Sequence, residues 1–87
     1  IKALAVDLDC YARFSAERGG IGLPADEARL VAYIDYCEAR RLKPATVSRR
    51  LSSLAVAHHL LDVPCPVGAV VVRDALRGLR RRAGVRQ

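Results

Sequence analysis

Two adjacent arginines, Arg49 and Arg50, stand among short side chains, Ala45, Thr46, Ser53 and Ala57, on a segment whose apolar residues recur at helical spacing. A guanidinium is permanently charged and planar, and it grips a phosphate or the O6/N7 edge of guanine with two parallel hydrogen bonds. Serine and threonine hydroxyls add contacts that both donate and accept. The charge around this segment is one-sided. Between positions 41 and 87 ten Lys or Arg (41, 43, 49, 50, 73, 77, 80, 81, 82 and 86) face only Asp62 and Asp74, a local balance of +8, whereas positions 1–40 carry five bases and seven acids. Such an asymmetry is an electrostatic footprint, and a polyanion is its commonest partner.

Other chemistry is thinly represented. Cys10, Cys37 and Cys65 are odd in number and widely spaced, which argues against a disulfide framework and for a reducing compartment. With His58 and His59 they offer nitrogen and sulfur ligands, but no pair stands at the short spacing of a zinc site, so buried thiols and no metal are expected. His58 falls on an apolar seam and is expected to be a hydrogen-bonded core histidine. His59, near a helix end, suits a phosphate or the negative end of the helix dipole.

The elements that must position these groups follow from periodicity. With one Phe, three Tyr and no Trp in 87 residues, the core must be mainly aliphatic, which favours helices in one small domain. Ile1, Leu4, Leu8, Tyr11 and Phe14 or Ser15 predict a first helix ended by Gly19-Gly20. Pro24, Asp26 and Glu27 suit the start of a second, with Leu30, Val31, Ile34 and Cys37 inward. A third starts at Pro44, its inner seam being Val47, Leu51, Leu54, His58 and Leu61. After the rigid DVPCPV connection a fourth runs from about Ala69 to Arg82, with Val72, Leu76 and Leu79 inward and a stop at Gly84. The expected fold is all-α, a compact bundle of four helices. Apolar runs such as Ala69 to Val72 fall far short of the roughly 20 residues of a membrane span, so no membrane partner is expected.

Projected at about 100° per residue, helix three turns Ala45, Thr46, Arg49, Ser53 and Ala57 outward, with Arg50 at a flank. Short exposed side chains let a helix sink into the major groove, about 12 Å wide, while the arginines reach its base edges. Lys43 and the free amides at the start of this helix suit a phosphate, and Lys2 stands at the free end of helix one.

LKPATVSRRLSSLAVAHHLLDVPCP followed by VVRDALRGLRRRAG resembles the core-binding, amino-terminal, SAM-like domain of tyrosine recombinases of the phage-integrase and Cre type. The likeness covers nearly the whole chain. It includes the opening DLDCYARFSAERGG, Pro24-Ala25, Tyr33-Ile34, the Thr46 helix, the Pro64-x-Pro66 turn and the closing Arg77-Gly78-Leu79-Arg80-Arg81. The resemblance implies one half of a C-shaped clamp on double-stranded DNA, with a separate catalytic domain closing the other half. It carries groove contacts onto Ala45, Thr46, Arg49, Arg50 and Ser53, adds Lys2 and Ala3, and puts phosphate contacts at Arg77, Arg80 and Arg81. Neither His58 nor His59 has an Arg three residues on, and the family's nucleophilic tyrosine is not recognisable. The domain alone is thus expected to bind DNA without cutting it, with no catalytic residue, cofactor or small-molecule substrate.

Because Ile1 opens mid-pattern without an initiator Met, residues 1–87 are expected to be one domain excised from a longer cytoplasmic recombinase of bacterial or phage origin. Gln87 would lead into the catalytic part, and other recombinase protomers would be partners on DNA. Two other classes compete: a helical protein-interaction domain docking through Val70, Val71 and Val72, and a stand-alone helix-turn-helix regulator, disfavoured because helix two is long.

Overall fold

Four α-helices form where the apolar periodicity requires them: α1 (Lys2–Arg18), α2 (Glu27–Ala39), α3 (Pro44–Leu60) and α4 (Val70–Arg86), with a 3₁₀ turn over Pro66–Gly68 before the last. The computed structural model describes residues 2–20 and 22–86, and no strand occurs among them. Ile1 and Gln87, and the side chain of Lys2, lie outside the described residues. The architecture is an all-α four-helix bundle.

Local chemistry sets the helix ends. Gly19 and Gly20 both adopt φ +79°, a conformation other side chains resist, and the Gly19 amide closes α1 on the Ser15 carbonyl at 2.9 Å. Pro24 does not open α2 as expected. It lies ahead of the helix, and Asp26 is the cap, its carboxylate accepting from the Arg29 amide at 2.7 Å. An Asp that satisfies an otherwise orphaned amide fixes the start more strongly than a proline two residues earlier.

α2 and α3 finish alike. Arg41 (φ 61°) and Asp62 (φ 56°) take left-handed backbone, and the amides of residues 41 and 42 reach back to Glu38 and Cys37, as those of 62 and 63 do to His59 and His58. Pro44 does open α3 at its first turn, where no amide donor is needed. α4 does not stop at Gly84. Ala83 is only 7% exposed, so the last turn keeps an inward contact that outweighs the modest helix cost of one glycine.

The bundle pairs α2 with α4 and α1 with α3, and α3 also touches α4. Its radius of gyration, 12.3 Å, matches the roughly 12 Å expected for this length. Leu30, Ile34 and Cys37 are buried as the stripe on α2 predicted, together with Tyr33, which the stripe omitted. Tyr11, Phe14, Tyr33 and Tyr36 form one aromatic cluster with ring centroids 5.0 to 6.2 Å apart. Val47, Leu51, Leu54, Val72 and Leu79 complete the core. Leu61 departs from the predicted seam. It caps α3 and is 57% exposed, because the helix ends before its side chain can turn inward.

His58 is fully buried. Its Nε2 accepts the Ala25 amide at 2.9 Å, so the ring proton sits on Nδ1 and is donated to the Leu54 carbonyl at 2.6 Å. The three cysteines are free thiols, and among the described residues no cluster of three or more His, Cys, Asp or Glu is placed to hold a metal. No helix among the described residues is long and apolar enough to cross a membrane.

Candidate nucleic-acid interface

α3 is gripped on two sides, and this decides what it shows to solvent. α1 lies along the flank bearing Thr46, Arg50, Ser53 and Ala57, while α4 approaches Ser48 from the other side. The exposed ridge is therefore Ala45, Arg49, Ser52 and Val56, with Thr46 half-buried. Ser53 and Ala57, expected outward, are buried, and Arg50 is turned inward from its expected flank. A single seam at 47, 51, 54 and 58 underestimates the buried arc of a helix with neighbours on both sides.

Asp7 organises the centre of this face. Its side chain is fully buried on α1, facing α3, and it accepts Arg49 Nε at 3.2 Å and Nη2 at 2.9 Å, as well as the Ser53 hydroxyl at 2.7 Å. Burial alone would raise the Asp7 pKa, but the hydrogen bonds from Arg49 and Ser53 and the charges of Arg49 and Arg50 outweigh it and hold it below the ordinary 3.8. Arg49 remains 54% exposed. Asp7 occupies one edge of its guanidinium, Nε and one Nη2 hydrogen, which leaves Nη1 and the second Nη2 hydrogen facing out. Sequence reasoning missed Asp7, although it lies three residues after Leu4 and four before Tyr11, in register with the inner face.

A second row of cations comes from α4. Arg80 Nη2 donates to Ser48 Oγ on α3 at 2.9 Å, bringing that guanidinium over the edge of the ridge. Arg77 is exposed and paired with Asp74 at 3.2 Å, while Arg81 is exposed and has no ion pair among the described residues. Lys43, at the N-cap of α3, is exposed and makes no side-chain capping bond, so its ammonium is available to an anion at the helix start. Arg82 faces elsewhere, held by the Glu38 carboxylate through bonds of 2.6 and 2.8 Å.

Arg49, Lys43, Ala45 and Arg80 are thus brought to α3 and its margins, whereas Ser53 and Arg50 act from beneath. No family model, curated protein or solved structure matches the chain.

Proposed function

We propose that this chain is the DNA-binding, core-binding domain of a site-specific tyrosine recombinase, laying α3 in the major groove of a recombination half-site. The observation that carries the reading is the ridge of α3. It is low at Ala45 and Ser52, it bears an arginine buttressed by a buried carboxylate, and it is flanked by Lys43 and Arg80. A buttressed Arg49 loses little rotamer freedom on binding, and its free edge matches guanine O6 and N7. Arg77, Arg80, Arg81 and Lys43 meet phosphates and set the register. On this reading the domain holds DNA without cutting it, strand breakage and rejoining belong to a catalytic domain of the parent enzyme, and the setting is a cytoplasm in contact with the nucleoid.

Fluorescence anisotropy with mixed duplexes tests this. Contact with about five to seven phosphates gives a slope of log affinity against log salt of about −5 to −6. Absence of any complex at micromolar protein in dilute buffer would refute the reading. A protein-docking role is favoured by one observation, the exposed Val70 and Val71 at the start of α4, 72% and 47% accessible. It would show almost no salt dependence.

A further inference from the structure

Beside the ridge, α1, the end of α2 and the start of α3 enclose a cleft of about 380 Å³ lined by Arg13, Arg40 and Arg50 together with Cys10, Glu17 and Tyr36. Three guanidinium groups stand against the Glu17 carboxylate in the lining and Asp9 at its edge, which leaves a local excess of positive charge. Each arginine is placed by a different contact. Arg40 is seated on the Tyr36 ring, 4.5 Å from its centroid, a cation–π contact that holds the charge at the cleft wall. Arg13 is paired with Asp9 at 3.0 Å, but both partners are largely exposed, so the pair is weak and yields readily to a better anion.

Arg50 is the floor. Its Nε is buried and finds no well-aligned hydrogen-bond partner, and the same holds for the neighbouring Tyr33 hydroxyl, although the two lie close enough for Tyr33 to favour the charged guanidinium. Arg50 is half-buried and forms no direct ion pair among the described residues, although the Asp7 carboxylate is near enough to feel its charge, so an oxyanion entering the cleft would supply the direct charged acceptor it lacks.

We propose that this cleft is a binding site for an oxyanion of the phosphate class, held by the guanidinium groups of Arg13, Arg40 and Arg50. The occupant is either a backbone phosphodiester of DNA lying across α3 or free inorganic phosphate. The site is independent of base reading by Arg49, because free phosphate tests it alone.

The experiment follows the arginine Nε–H resonances of the 87-residue chain during titration with inorganic phosphate, with chloride at matched ionic strength as control. Saturable shifts at Arg50 and Arg40 with phosphate alone are expected. The variant R13Q/R40Q, altered only at exposed side chains, should keep the fold and bind phosphate at least about tenfold more weakly, as the loss of a charge-assisted hydrogen bond implies. Phosphate shifts that match those of chloride, or an R13Q/R40Q variant that binds phosphate as tightly as the parent, would overturn the proposal.

A duplex arm distinguishes the sources. A comparable loss of duplex affinity in R13Q/R40Q supports a backbone phosphodiester, and unchanged duplex affinity with weakened phosphate binding supports free phosphate. Failure of the parent chain to bind any duplex sinks the recombinase reading and leaves the cleft to be judged on phosphate alone.

Discussion

The Asp7–Arg49 pair permits a quantitative test of how the ridge is built. At roughly 4 Å between charge centres and an effective dielectric of about 20, the gross attraction is about 4 kcal/mol, from which the desolvation of a buried carboxylate must be subtracted. Arg49 is half exposed, so solvent screens part of the attraction, and a net coupling of about 2 kcal/mol remains. Arg49→Ala strands the Asp7 carboxylate with Ser53 as its remaining donor and should cost about 2 to 3 kcal/mol, lowering Tm by roughly 8 to 24 °C in a domain of this size. Asp7→Asn keeps an acceptor but loses the charge, at about 1 to 2 kcal/mol. The double variant should cost about 2 kcal/mol, less than the sum of the singles.

Urea unfolding of the four proteins, followed by circular dichroism, measures the cycle. The pH dependence has a defined sign. The folded pKa of Asp7 is depressed, so its contribution is present above the ordinary carboxylate pKa of 3.8 and is lost as pH falls through and below that value. The stability gap between the parent and Asp7→Asn should therefore close between about pH 5 and pH 2. A coupling below about 0.5 kcal/mol, or a gap that stays constant across that window, would refute the buttress.

Three further outcomes are expected. His58→Leu leaves the buried Ala25 amide without its acceptor and should destabilise by about 1 to 3 kcal/mol in urea unfolding, while ¹⁵N spectra of the parent should show the Nδ1–H tautomer. Leu54→Ala opens a cavity in the core and should cost about 2 to 5 kcal/mol by the same measurement, without changing the salt slope of any DNA complex. Gly84→Ala should stabilise by about 0.5 to 1 kcal/mol, because α4 runs through this position and an added methyl meets open space; a loss of stability would place the helix end before residue 84.

Much of the scaffold was legible because its signals are local. Gly19-Gly20 and Pro44 act on their own backbone, and the α2 stripe of Leu30, Ile34 and Cys37 needs only a helical period. Leu61 and Gly84 misled because a helix end depends on what its last turn packs against, which lies far away in sequence. The face of α3 was placed about one position off, since periodicity reports one buried side whereas α1 and α4 cover two. Ser53 and Arg50 look like solvent or groove residues as letters. Only long-range neighbours turn them inward: the buried carboxylate of Asp7, 46 residues before Ser53, and for Arg50 the cleft it lines with Cys10, Arg13 and Tyr36. A polar residue in apolar register, such as Asp7, is the signal that would have revealed the arrangement.

The gathering of every aromatic ring of the chain at one junction has a spectroscopic consequence. With no tryptophan to mask them, the three tyrosines make near-ultraviolet ellipticity and intrinsic emission a gauge of a single place, the seam between the first two rods. Loosening there would dim that signal while far-ultraviolet helicity persisted, so slippage of the first rod can be seen separately from melting of the whole.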